Sequence, residues 1–83
     1  MPVARQEIAA RVVAIVAELA RMPAAEVQGS LRLREDLGLD SMQSMELLSR
    51  VSEEFDVDPD MEKVMRITTV EQVIAFLAGH LGA

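Results

Sequence analysis

From Asp36 to Phe55 the chain reads DLGLDSMQSMELLSRVSEEF, a glycine turn that runs into a helix start and then into an amphipathic stretch. Asp40 is a helix-capping residue type placed immediately before a periodic segment, and Gln43 three residues later gives the pair a capping-box spacing. Ser41 therefore falls at the first helical position, where the macrodipole and the free backbone N–H groups favour an anionic ester. At about 100° per residue, Ser44, Leu47, Leu48, Val51 and Phe55 share the side that must face a core. Met42, Glu46, Ser49 and Glu53 share the opposite side, with Met45 and Arg50 at its margins. This helix is expected over about residues 41–54. Methionine beside carboxylates on an outward face is not required by packing, and an adaptable apolar contact rimmed by charge is the general form of a docking surface.

Upstream, Ile8, Val12, Ile15, Val16 and Leu19 follow helical spacing, predicting a helix from about residue 3 to 21 that Pro23 stops. The connection from Met22 to Asp40 is long for so small a domain, a feature more common in functional loops than in plain connectors. Gly29, Ser30 and Gly38 supply its turns, Leu31, Leu33, Leu37 and Leu39 anchor it to a core, and one helical turn fits near Arg32–Asp36. Downstream, Asp58 and Pro59 suit an N-cap and first helical position, so a short third helix is expected over about 59–65. Thr68-Thr69-Val70-Glu71 reads as a capping box for a last helix that carries Val70, Val73, Ile74, Leu77 and Leu81 to a stop near Gly82. The expected fold is all-α: a small four-helix bundle with a long loop between its first two helices and a short third helix, forming one domain over residues 1–83.

Composition narrows the function. The 83 residues include no cysteine, which removes disulfides, thiolate metal sites and cysteine nucleophiles. No stretch approaches the roughly 18 unbroken apolar residues of a membrane span, and the first residues lack the layout of a secretory leader, so a cytoplasmic protein is expected. The net charge of −6 is unevenly distributed: residues 1–34 carry +2 and residues 35–83 carry −8. The acids crowd around and after Ser41, a field that repels nucleic acid and anionic lipid and steers basic protein surfaces toward it. In Asp56-Val57-Asp58-Pro59-Asp60 the alternating aspartates imitate a calcium loop, but Met61 stands where that loop needs glycine and Ile67 where it needs a bidentate glutamate. No metal ligand set and no catalytic constellation is predicted; His80, the one histidine, is expected in the last helical turn, remote in sequence from Ser41.

Asp36-Leu37-Gly38-Leu39-Asp40-Ser41-Met42, followed in order by Glu46-Leu47-Leu48, Glu53-Glu54-Phe55 and Ile67-Thr68-Thr69-Val70, resembles the acyl carrier protein family across nearly the whole chain. The resemblance implies that Ser41, with Asp40 before it, is where 4′-phosphopantetheine from coenzyme A is attached by a phosphopantetheinyl transferase. It implies a non-catalytic, monomeric carrier of acyl thioesters in fatty acid, polyketide or related lipid biosynthesis. It also implies docking through the second helix, with Met42 and Met45 as apolar contacts and Asp40, Glu46 and Glu53 as the acids that meet basic surfaces on a ketosynthase, acyltransferase or other acyl-processing enzyme. If cargo is sheltered between the helices, Leu48, Val51 and Phe55 would line the inner wall. Departures from the housekeeping pattern are Met42 in place of the common leucine, Ser49, Arg50 and Ser52 along the docking helix, and the setting of Pro59. Arg50 is expected to weaken docking to strongly basic partners. These departures suit a specialised carrier, while a peptidyl or aminoacyl carrier and an unmodified acidic interaction module are the alternatives.

Overall fold

The structure, a computed structural model, describes residues 4–58 and 60–82. Helix α1 spans Arg5–Ala20 and buries Ile8, Val12, Ile15, Val16 and Ala17, the apolar stripe that its sequence spacing dictates. Leu19 packs at the edge of the same core. The helix ends before proline acts: Arg21 adopts the left-handed conformation (φ 57°) and its N–H bonds back to the Ala17 carbonyl, with Pro23 two residues beyond. Residue 3, where this helix was expected to begin, lies outside the described residues.

The connection to the next helix is ordered by its own hydrogen bonds. A turn of 3₁₀ helix at Ala24–Glu26, not foreseen in the sequence, follows Pro23. The expected turn at Arg32–Asp36 is present as a hydrogen-bonded turn and not as a helix: the Asp36 N–H donates to the Arg32 carbonyl at 3.0 Å, and the Asp36 carboxylate accepts from the Arg32 N–H at 2.7 Å. Arg32 and Thr69 form one isolated antiparallel bridge, in which the Leu33 N–H donates to Thr68 at 2.8 Å and the Val70 N–H to Leu31 at 3.1 Å. Val27, Leu33 and Leu39 are buried, while Leu31 and Leu37 pack at the core margin. Gly38 reverses the chain with φ 69°, a conformation that other residues take only at a cost.

Helix α2 spans Ser41–Phe55 and has the expected capping box: the Asp40 carboxylate accepts from the Gln43 N–H at 2.8 Å, and the Gln43 side chain accepts from the Asp40 N–H at 3.2 Å. Leu47, Leu48 and Val51 are buried; Ser44 and Phe55 are half-buried. Ser52 is also buried, so it belongs to the inner side of α2 and not to the docking face where the sequence reading had set it. The reason is geometric, because Ser52 follows Leu48 by one helical turn. Helix α3 is shorter than expected, Met61–Val64, and begins after Asp60 and not after Asp58. The Asp60 carboxylate accepts from the Glu62 N–H at 3.0 Å and its carbonyl from the Val64 N–H at 2.9 Å. Pro59, expected to open this helix, lies outside the described residues.

Helix α4 spans Val70–Leu81 and stops at Gly82, as expected. Its capping box is shifted by one residue from the sequence reading. Thr69 is the cap, accepting from the Gln72 N–H, while Gln72 returns the bond to the Thr69 N–H. Glu71 is instead ion-paired with Arg5 at 2.7 Å. Its backbone donates to the Gly29 carbonyl at 2.9 Å, an approach so close that a side chain on Gly29 would press against Glu71. Helix α1 packs most extensively on α4 and next on α2. Among the described residues no helix is long and apolar enough to cross a membrane.

Leu47 is wholly enclosed where α2 meets the core, whereas Met42 is 82% exposed. Leu47→Ala should cost about 3 kcal/mol, through lost burial and the cavity left behind. Met42→Ala should change stability by less than about 0.5 kcal/mol. Urea denaturation of the two variants beside the parent measures both.

Candidate functional site

Ser41 opens α2 with an exposed side chain. The capping box fixes the backbone on either side of it, so Asp40 and Gln43 set the direction in which its Cβ leaves the helix. Asp40 takes part in this cap through its carboxylate Oδ1, its carbonyl and its N–H. The nearest side chain from elsewhere is Arg34, whose guanidinium nitrogen lies 3.4 Å from the Ser41 Oγ. Beside them opens a cleft of about 390 Å³, walled by Leu33, Met45, Leu48, Val64, Met65 and Ile67, with Arg34, Glu35 and Thr68 among its polar residues. Its mouth therefore carries a hydroxyl and a cation, and its walls are largely apolar.

The outward face of α2 is as the periodicity predicts. Met42 is 82% and Met45 49% exposed, and Glu46, Ser49 and Glu53 lie exposed along the same face. Neither Glu46 nor Glu53 takes part in an ion pair among the described residues, so both carboxylates are available to a basic partner. Met65, just after α3, is 80% exposed and reaches the cleft from its opposite side. The sequence reading missed it, because residues 45 and 65 become neighbours of one cleft only through the fold.

Residues 10–77 match the family model described as the phosphopantetheine attachment site. The chain belongs to this family of carriers. The fold has the same affiliation. A candidate acyl carrier protein from Mycobacterium tuberculosis superposes with a TM-score of 0.81 at 24% identity, over 87% of this chain and 96% of that one. The acyl carrier protein from Enterococcus faecalis, known for high thermal stability, superposes with a TM-score of 0.81 at 24% identity, over 94% of this chain and 99% of its own. The protein is thus a carrier whose covalent cofactor is 4′-phosphopantetheine. The head of α2 fits that group chemically: it offers an exposed hydroxyl, a nearby guanidinium and open space beside both.

One detail of the carrier's surface differs from the sequence reading. Arg50 does not stand free beside the acidic stripe; it pairs with Glu18 of α1 at 2.9 Å, which holds the Glu18 carboxyl below its usual range through the hydrogen bond and the charge of Arg50. Its charge is therefore turned toward α1 and partly neutralised; Arg11 of α1 pairs in turn with Glu54 of α2. The three residues expected to wall an internal shelter, Leu48, Val51 and Phe55, all belong to the core side of α2, and Leu48 also lines the cleft beside Ser41. Val51 is sealed in the core, and Phe55 stands at the far end of α2, more than three turns from Ser41.

The loop that carries Arg34 is held by charge. Asp36 is kept below the usual carboxylate range by the Arg32 backbone N–H and then by the Arg32 guanidinium, which it meets at 3.3 Å. A carboxyl whose folded pKa is depressed stabilises the fold above its unfolded pKa, about 4, and loses that contribution as pH falls through the folded value. Asp36→Asn should therefore be less stable than the parent at about pH 7, with the gap closing below about pH 4. Urea midpoints measured across that range test the expectation.

Proposed function

We propose that Ser41 is the residue that bears the phosphopantetheine and that the chain, a single domain over residues 1–83, acts as a monomeric acyl carrier in the cytoplasm. The observation that carries this reading is the position of Ser41: an exposed hydroxyl at the first position of a capped helix, ending the Leu37-Gly38-Leu39-Asp40 approach and lying inside the matched family segment. A hydroxyl there is open to an incoming transferase, and the N-terminal end of α2 favours the negative charge that an ester of phosphate brings. When bound, the arm's terminal thiol carries acyl groups as thioesters. The chain's own work is then presentation, because a tethered cargo stays at high effective concentration near whichever enzyme has docked.

The docking face follows from the same helix. Met42 and Met45 supply adaptable apolar contact next to Ser41, and Glu46 and Glu53 supply the charge that recognises lysines and arginines. The partners are a phosphopantetheinyl transferase and ketosynthases, acyltransferases or other acyl-processing enzymes of fatty acid, polyketide or related lipid biosynthesis. The departures at Met42 and Ser49 favour a specialised pathway over the housekeeping one.

Incubation with coenzyme A, magnesium and a broad-specificity transferase should add one phosphopantetheine to the parent chain and none to Ser41→Ala, as read by intact mass. Because Ser41 is exposed, Ser41→Ala should unfold within about 0.5 kcal/mol of the parent. A folded parent that gains no mass would overturn the carrier assignment of Ser41 and favour an unmodified docking module. Reversing two charges, Glu46→Lys with Glu53→Lys, should lower the transferase's kcat/KM by about tenfold at low salt, with the deficit shrinking as salt screens the face.

A further inference from the structure

Arg34 is the cation whose guanidinium meets the Ser41 hydroxyl. Arg5, Arg11, Arg32 and Arg50 each face a carboxylate, whereas Arg34, like Arg21, Lys63 and Arg66, is in no ion pair among the described residues, and of these four it is the one that lines the cleft with Ser41. The acids nearest to it in sequence are already engaged: Glu35 and Asp36 both face Arg32, at 3.8 Å and 3.3 Å. The Asp40 carboxylate accepts from the Gln43 N–H. The polar contact left to the Arg34 guanidinium is the Ser41 Oγ at 3.4 Å, a long bond to a neutral oxygen. It also places a cation near the positive end of α2, an arrangement that the helix dipole disfavours. In the unmodified chain this is a poor use of an arginine.

Esterification of Ser41 reverses that balance. A phosphodiester at Oγ carries one negative charge on two unesterified oxygens that sit around the phosphorus bonded to Oγ. Guanidinium and phosphate are matched in geometry as well as charge, and their hydrogen bonds are about twice as strong as neutral ones. Resting on the attachment at Ser41, we propose that Arg34 is a positioning residue that clamps the phosphodiester and holds the root of the arm on the cleft side of α2. The same two residues, Arg34 and Ser41, line the cleft that Leu48, Val64 and Met65 wall. A phosphodiester held by Arg34 therefore starts the arm over that cleft and away from the outward edge of α2 where Glu46 and Glu53 stand. Partner enzymes must then compete with Arg34 for the phosphodiester, so a basic docking surface both recognises the carrier and releases the arm. Glu35, which also lines the cleft, opposes the clamp by charge, and its pairing with Arg32 limits that opposition.

The test uses the parent, Arg34→Gln and Arg34→Lys, each loaded from coenzyme A by a transferase and checked first by intact mass. Phosphorus NMR of the loaded parent at roughly 50 mM salt should show a resonance displaced and broadened relative to the same phosphodiester in a denatured sample. At about 1 M salt, where screening reaches within about 3 Å, the displacement should be lost. Arg34→Gln should show the narrow, undisplaced resonance at both salt concentrations, and Arg34→Lys should recover part of the displacement. Unmodified Arg34→Gln should melt with the unmodified parent, because a purely structural tie between the loop and α2 would instead lower its Tm. Identical resonances in loaded parent and Arg34→Gln at low salt would overturn the clamp. So would a parent resonance that does not respond to salt, a result that decides the matter even if the transferase fails to load the glutamine variant. A parent chain that gains no mass would instead overturn the attachment at Ser41, a separate outcome read before any resonance is recorded.

Discussion

The site depends on a short piece of backbone pairing, the antiparallel bridge that ties Leu31–Leu33 to Thr68–Val70. A loop of nearly twenty residues has many conformations to lose, and two backbone bonds with one buried leucine on each side of the following turn restrict it strongly. Leu33 N–H donates to Thr68, and Leu39 N–H then donates back to Leu33 at 2.9 Å, so the bridge also closes the turn that delivers Asp40. From there the capping box starts α2, and the position of Ser41 is settled. The other end of the bridge fixes Thr69, which caps α4. One contact thus sets the origins of two helices.

Charge is organised on two levels in this carrier. Ion pairs join α1 to α2 and α1 to α4, through Arg50–Glu18, Arg11–Glu54 and Arg5–Glu71, and these groups are exposed enough that each pair contributes little to stability. Their effect is more on what the surface presents. Arg50, the one arginine of α2, is turned toward Glu18 of α1, which leaves Glu46 and Glu53 in no ion pair among the described residues, beside two exposed methionines. An acidic stripe with an apolar centre results, although the chain has arginine at position 50 in the middle of the helix that carries it.

Much of this was legible in the sequence because helices report themselves locally. The extent of α1 and α2, the cap at Asp40, the stop at Gly82 and the outward set Met42, Glu46, Ser49 and Glu53 all follow from spacing and capping chemistry. Errors arose where two local solutions were nearly equal. Thr68 and Thr69 are both competent caps, and the bridge at Thr69 selected the second, which freed Glu71 to meet Arg5. Asp58 and Asp60 are likewise both competent caps, and the short third helix begins after the later one. Ser52 reads as a surface residue by type, yet its place one turn after Leu48 carries it inward.

The sequence by itself determined the all-α class, the family, the exposed serine at the head of α2 and the acidic, methionine-bearing face, since each is a property of one helix or of a contiguous motif. Only the tertiary structure decided what surrounds that serine. Arg34 approaches it from seven residues upstream because Gly38 reverses the chain, and Val64, Met65 and Ile67 reach the same cleft from a segment more than twenty residues downstream. No periodicity encodes such neighbours. They are set by how the loop and α3 are folded back against α2, and that depends on backbone hydrogen bonds and burial distributed over the whole chain.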